Sequence, residues 1–203
     1  MIDHTMLRGL FGGTKGVYGK VFITSDHHFG HENIIRFCNR PFANGQEMDA
    51  AMISRWNSAV AQNDVVIHLG DLTLGGVELA QSYLSQLNGN ILFCTPFYHH
   101  DKRWLSLLPG YTANGRAVYY RDFTLLSGQL AGLEMDITLC HYPLASWERS
   151  FHGALHFHGH EHNTMPRIAN RLDIGVDGHN FTPLLLTQAV KLAIDNPLVF
   201  RTM

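Results

Sequence analysis

The sequence has little excess charge of either sign, which argues against partners that are recognised by charge alone. Its 203 residues include 15 lysines and arginines and 17 aspartates and glutamates, for a formal net charge of −2. A chain this close to neutrality is not expected to bind nucleic acids or membrane surfaces non-specifically. A membrane is therefore not expected as a partner, and nucleic acid is expected only as a substrate.

Cysteines and long apolar runs are also scarce. Cys38, Cys94 and Cys140 are an odd number at wide spacing, which favours a reduced, cytoplasmic protein over a disulfide framework. No apolar run approaches the roughly 20 residues of a membrane span, and the polar, glycine-rich start of the chain is unlike a signal peptide. The length predicts a single domain over 1–203, and the glycines within 1–20 predict a loosely attached N-terminal arm or a short edge element there.

Histidine, by contrast, is abundant. The chain has 14, and five of them fall between positions 152 and 162. Many imidazoles beside carboxylates are typical of transition-metal sites.

Apolar runs alternate with helical patterns in the first half of the chain. Short β-branched runs predict buried strands at 20–24, 65–69 and 91–93, and apolar periodicity predicts helices at 32–38, 48–60 and 78–87. Such alternation is typical of an α/β fold with parallel strands. Strands dominate the second half, where we expect a β-hairpin over 117–120 and 123–126 and further strands over 136–140, 154–157 and 172–176. The sequence thus predicts a second sheet packed on the first.

Residues that bind metals follow nearly every predicted strand. In open α/β folds the carboxyl ends of the strands converge on the ligand site, so we expect these side chains to lie close together. They are Asp26, His28, Asp71, His99, His100, Asp101, His141, His160 and His162.

The mixture of donors indicates which ions are bound. Carboxylates with several imidazoles suit Mn, Fe, Zn, Co or Ni rather than Ca²⁺. Six or seven ligands exceed the needs of one tetrahedral ion, which favours two divalent or trivalent transition-metal ions. Two metals about 3.5–4 Å apart suit displacement at phosphorus, because they acidify water and screen phosphoryl oxygens.

The order of these motifs resembles that of the calcineurin-like metallophosphoesterases. D-x-H (Asp26, His28), G-D (Gly70, Asp71), H-D (His100, Asp101), a histidine after a strand (His141) and G-H-x-H (Gly159, His160, His162) follow one another in the family order. The similarity spans roughly 21–183. Stretches such as TSDHHFGHENII, CNRPF and HLGDL are similar to a small bacterial and phage subgroup.

The resemblance implies a fold and an activity. The fold would be a four-layer α/β/β/α sandwich of two packed mixed β-sheets flanked by helices. The activity would be hydrolysis of a phosphomonoester or phosphodiester in a small substrate by a metal-bound hydroxide at a dinuclear site. Family roles place the first metal on Asp26, His28 and His162 and the second on His141 and His160. Asp71 would bridge both ions, and His100 would be the catalytic acid, tuned by Asp101.

One position departs from the family pattern. The family has G-N-H-D where this chain has Tyr98-His99-His100-Asp101, so His99 replaces an asparagine that binds the second metal. We interpret His99 as a metal ligand. A loop histidine stacked on Tyr98 is the alternative, in which case the protein would be a degenerate, weakly active or non-catalytic metal-binding member. A nuclease acting on DNA or RNA is a further alternative.

Four residues after the first motif are predicted to contact substrate: His31, Asn33, Arg36 and Arg40. An ordinary loop or helix-surface role remains open for each of them.

Overall fold

A computed structural model describes residues 19–95, 99–108, 110, 112, 115, 118–121, 124–126, 129–130 and 133–195. Nearly all of the predicted N-terminal arm, and Tyr98, lie outside these residues. In chain order the elements are β1 (Val21–Thr24), α1 (Asn33–Phe37), α2 (Gly45–Ala59), β2 (Val65–His68), α3 (Val77–Leu84), β3 (Asn90–Cys94), α4 (Lys102–Leu105), β4 (Val118–Arg121), β5 (Thr124–Leu126), β6 (Gln129–Leu130), β7 (Leu133–Glu134), β8 (Ile137–Leu139), β9 (Leu155–His158), β10 (Arg171–Asp173), β11 (Leu184–Leu185) and α5 (Leu186–Ile194).

Five of these strands form the first sheet, in the order β11-β1-β2-β3-β4. Strands β1 to β4 are parallel, and β11 is antiparallel to β1. All four residues of β2 are buried, as expected for a strand covered on both faces. On one face Phe22, Val66 and Phe93 pack against α1 to α4, with Trp56 and Trp104 among the largest buried side chains of this cluster.

The second sheet has the order β10-β9-β8-β5 and packs against the opposite face of the first. Strands β8, β9 and β10 are parallel, and β5 is antiparallel to β8. Ile23 and Ile67 of the first sheet share a core with Leu139 and Phe157 of the second. Helix α5 contacts strands of both sheets and adds apolar residues to that core. The prediction of an α/β protein with two sheets is confirmed.

The predicted hairpin over 117–120 and 123–126 is wrong. Strand β4 pairs with β3 in the first sheet, whereas β5 pairs with β8 in the second. Each strand thereby covers an edge of a larger sheet, which satisfies more backbone groups than an isolated two-stranded hairpin would.

The two sheets meet where their parallel strands end. Ser25, just after β1, forms a parallel bridge with Gly175, just after β10, and the Val176 amide donates to the Ser25 carbonyl at 3.1 Å. The carboxyl ends of strands from both sheets therefore lie along one edge, as the sequence predicted.

The longest of the described helices has 15 residues and carries charged side chains. None of the helices in the described ranges meets the length and hydropathy that crossing a bilayer requires.

Candidate metal centre

The backbone is left-handed at five of the predicted ligands. The φ angles are 62° at Asp26, 54° at His28, 56° at Asp71, 71° at His160 and 47° at His162. Positive φ is uncommon outside glycine, and such residues cluster at functional sites because the surroundings must hold them there. Each loop therefore bends sharply at its ligand, which turns the side chain towards the shared edge of the sheets.

Asp26, His28 and His162 form the first donor group, in which one ligand atom from each lies within 4.8 Å of the others. The rings of His28 and His162 are stacked, with centroids 5.2 Å apart. The His160 amide donates to both oxygens of Asp26, at 3.0 and 3.1 Å. That approach requires glycine at position 159, because a Cβ there would overlap the Asp26 carboxylate.

Asp71, His141 and His160 form the second donor group by the same criterion. Asp71 also faces the first group, since its Oδ2 lies 3.5 Å from the Nε2 atoms of both His28 and His141. Asp71 therefore stands between the two groups, where a carboxylate could contact two ions.

His99 adds a further donor beside Asp71. Its ring is buried, its Nε2 lies 3.1 Å from Asp71 Oδ1, and its centroid lies 4.3 Å from that of His141. Asp71, His99 and Asp101 also meet the 4.8 Å criterion. Gly70 makes room for this ring, because a Cβ at Gly70 would lie 2.7 Å from His99 Cε1.

Unpaired polar atoms in this region fit a bound cation. Among the described residues, several buried atoms of the site have no hydrogen-bond partner: Asp71 Oδ1, His99 Nε2, His141 Nδ1 and both ring nitrogens of His28. His99 Nε2 and Asp71 Oδ1 lie 3.1 Å apart without the alignment of a hydrogen bond, and the Asp101 amide donates to the other ring nitrogen, His99 Nδ1, at 3.2 Å. Buried polar atoms are rarely left unpaired. Mixed imidazole and carboxylate donors suit a transition-metal ion.

Burial shapes the charges of the ligands. Burial and the nearby Asp71 raise the pKa of Asp26 to about 8, while burial lowers the pKa of His28 to about 3 and also lowers that of His141. Burial alone would raise the pKa of Asp71, but His141 and His99 hold it well below its usual range. The ionised Asp71 and the neutral His28 and His141 are in the protonation states that metal binding requires. Burial alone would lower the pKa values of His99 and His162, but Asp71 and Asp177 raise them. These two imidazoles and Asp26 would therefore release protons when a metal binds.

The two predicted catalytic residues occupy different environments. His100 is exposed, with its ring 5.4 Å from that of His99. Asp101 is fully buried and accepts a hydrogen bond from the Leu72 amide at 3.0 Å. Its Oδ2 lies 3.9 Å from His99 Nδ1, and burial raises its pKa to about 7. The structure therefore places Asp101 beside His99, whereas the sequence interpretation paired it with His100.

The four predicted substrate contacts are divided by the structure. The ring of His31 lies 5.7 Å from that of His28, next to the first donor group. Asn33 and Arg36 are exposed on α1, and the Arg36 guanidinium covers the ring of Phe37. Arg40 is buried beneath the first donor group, so its place does not suit direct contact with a substrate.

Asp177 is a site residue that the sequence reasoning missed. It lies in a 3-10 turn, Val176–Gly178, and accepts a hydrogen bond from His162 Nδ1 at 2.8 Å. Its place after the strand β10 follows the same rule that found the other ligands, so the rule could have been extended to it.

No protein-family model matches the sequence. The uncharacterized protein MJ1445 of Methanocaldococcus jannaschii is 33% identical over 192 residues, which cover 90% of this chain and 96% of that protein. The gene 66 protein of Mycobacterium phage D29 is 26% identical over 189 residues, covering 81% and 92% of the two chains. A protein of unknown function from Aquifex aeolicus, AQ665, has a similar fold, with a TM-score of 0.62 and 19% identity over 85% of this chain and 98% of that chain. The chain belongs to the same family as MJ1445.

Proposed function

We propose that this member of the MJ1445 family is a metal-dependent phosphoesterase that hydrolyses phosphomonoesters or phosphodiesters at a dinuclear site. The position of Asp71 is the observation that supports this proposal most directly. Its carboxylate lies within 3.5 Å of imidazoles that belong to both donor groups, a position from which a carboxylate could contact both ions of a dinuclear site.

Each donor group would hold one ion. The first donor group would hold the first ion and the second donor group the second, with Asp71 in contact with both. When bound, two such ions lower the pKa of a water molecule and neutralise charge on phosphoryl oxygens. The chain's own residues would place the phosphoryl group at the shared edge of the sheets, because the loops after β1, β2, β8 and β9 all turn their ligands there.

His99 supports an active site rather than a degenerate one. Its buried Nε2 faces Asp71, as a nitrogen ligand to the second ion would. Nearby, the exposed His100 lies at the rim, where it would donate a proton to the leaving oxygen. Asp101 would then orient His99 through its backbone amide, which donates to His99 Nδ1 at 3.2 Å, rather than tune His100.

The resemblance to calcineurin-like metallophosphoesterases extends the proposal to the whole fold. Helices α1 to α4 cover the outer face of the first sheet, which supports one half of a four-layer α/β/β/α sandwich. The proposal also includes a cytoplasmic location, which is supported by the three free cysteines.

The test is a comparison of wild type with Asp71→Asn. The amide keeps the shape of the side chain but removes the charge that two ions would share, so we expect metal content and turnover of a chromogenic phosphodiester with Mn²⁺ to fall together. Asp136→Asn is the matched control, because Asp136 pairs with the exposed Arg149 away from the site. Fully metal-loaded wild type that hydrolyses no phosphomonoester, phosphodiester or oligonucleotide would contradict the proposal.

A further inference from the structure

We propose that Arg40 and Asp177 form a buried positioning pair that holds the first donor group in its ligating geometry and so sets the affinity of that group for a metal ion. This role adds to the function proposed above. It depends on that function only because it requires the first donor group to bind a metal ion.

Arg40 uses its N–H groups inside the protein. Its Nε and Nη2 donate to the two carboxylate oxygens of Asp177, each at 2.8 Å. Nη1 also donates to the His27 carbonyl at 2.8 Å, and Nη2 to the Asp26 carbonyl at 2.7 Å. The remaining N–H of Nη1 is directed at the sulfur of Met48, 3.5 Å away. These contacts engage all five N–H groups of the guanidinium, which leaves none for a substrate.

Asp177 connects Arg40 to the candidate metal ligand His162. Besides the two bonds from Arg40, its Oδ2 accepts a hydrogen bond from His162 Nδ1 at 2.8 Å. A carboxylate held by a two-pronged arginine contact is ionised and can only accept, so the proton of His162 is placed on Nδ1. The lone pair of Nε2 is then free to face the first donor group, as in carboxylate–histidine–metal arrangements.

The pair therefore contacts both segments that carry the first donor group. One contact reaches the loop after β1, where Arg40 donates to the carbonyls of Asp26 and His27. The backbone of this loop is left-handed at Asp26 and at His28. The other reaches His162, also left-handed, through Asp177. Left-handed residues persist only where neighbouring structure holds them. A lysine could not replace Arg40, because its single ammonium cannot span a carboxylate and two carbonyls at once.

Two substitutions separate the parts of the pair. Arg40→Lys keeps the positive charge but loses the two-pronged contact of the guanidinium with Asp177. Asp177→Asn keeps the side-chain volume but loses the ionised carboxylate that accepts from His162. The matched controls are Arg149→Lys and Asp136→Asn, which alter an arginine–aspartate pair of the same 2.8 Å length with an exposed arginine, outside the site. Unfolding midpoints establish which variants fold. If Arg40→Lys does not fold, Asp177→Asn alone tests the proposal.

The measurement is calorimetric titration of metal-stripped protein with Mn²⁺, which reports binding without any need for turnover. We expect one of two binding events to weaken about 10- to 100-fold in both site variants, the other to stay within a few-fold, and the controls to match wild type. Electron paramagnetic resonance should then show a single Mn²⁺ at concentrations where wild type gives a coupled pair. Unchanged binding in a folded variant, equal weakening of both events, or no binding by wild type would overturn the proposal. Two-site binding without phosphoester turnover would refute the proposed function while leaving this one supported.

Discussion

At the scale of single residues, the candidate ligands are distinguished by backbone conformation as well as by chemistry. Asp26, His28, Asp71, His160 and His162 all have positive φ, which costs roughly 1–2 kcal/mol per residue for a side chain with a Cβ. The sequence predicted these residues from donor type and spacing, but the bends that aim them depend on the loops around them.

His160 allows the backbone cost to be measured apart from packing, because its side chain is exposed. Both His160→Ala and His160→Gly remove the ligand, but only glycine adopts a φ of 71° without steric strain. We expect the metal-free glycine variant to be more stable than the alanine variant by about 1 kcal/mol, measured by urea unfolding. Equal stabilities would mean that the left-handed bend carries no cost here.

The raised pKa of Asp26 leads us to expect that stability and metal affinity depend on pH. Burial and Asp71 raise its pKa to about 8 in the metal-free protein, from an ordinary value of 3.8. Between these values the folded protein holds a proton that the unfolded chain releases, so metal-free stability should fall as pH rises from about 4 to about 8. Metal affinity should rise over the same interval, because binding requires the carboxylate.

The measurement is Mn²⁺ titration and urea unfolding at several pH values across that range. Asp26→Asn is the control, and it should remove this part of the pH dependence of stability. Metal affinity that is flat between about pH 5 and 8 would contradict the argument.

Contacts between residues far apart in sequence were beyond prediction at this scale. Arg40 and Asp177 lie 137 positions apart, and nothing in the local pattern of either indicates the other. Arg40 was predicted to face substrate because it follows the first motif, yet its guanidinium is buried under that motif. Asp101 was assigned to His100 from the resemblance to calcineurin-like metallophosphoesterases, whereas its carboxylate lies 3.9 Å from His99 Nδ1.

At the scale of elements, the loops after β2 and β3 fit each other closely. Gly70, at φ 121°, lies near the start of the loop after β2, and the ring of His99 occupies the space that a side chain at Gly70 would need. The loop that carries His99 therefore depends on the loop after β2 for space. Tyr98, the other predicted neighbour of His99, lies outside the described residues.

Gly70→Ala tests that dependence. Its Cβ would lie 2.7 Å from His99 Cε1, so we expect displacement of the imidazole, weaker binding of one metal ion and at least roughly tenfold lower turnover. Gly89→Ala is the matched control, because Gly89 also has positive φ and a close Cβ contact, with Val60, away from the site. The control should lose stability yet bind both ions. Normal metal binding by Gly70→Ala would argue against His99 as a ligand.

At the scale of the whole molecule, the site joins two sheets. The first donor group combines loops after β1 and β9, and the second combines loops after β2, β8 and β9. Alternation of strands and helices predicted the first sheet, and the run of strands in the second half predicted the second. Neither pattern could predict that the chain changes sheet between β4 and β5, since local pattern does not reveal which sheet edges are free.

Because ligands come from both sheets, metal binding should stabilise the whole fold. At free Mn²⁺ about 100 times the dissociation constant, each occupied site should add about 2.7 kcal/mol to the free energy of unfolding. Urea unfolding with Mn²⁺ and with a chelator measures this difference, and Asp71→Asn should lose most of it. Identical unfolding curves under the two conditions would show that the donor groups do not bind metal in the folded state.

The central claim is that two ions at this edge of the sheets support phosphoester hydrolysis. The most direct measurement adds Mn²⁺ stepwise to metal-stripped wild type while turnover of a chromogenic phosphodiester and bound metal are followed together. We expect little turnover with one ion bound per chain and full turnover only as the second binds. Two ions bound per chain with no hydrolysis of any phosphoester offered, or full turnover with a single ion, would contradict the claim.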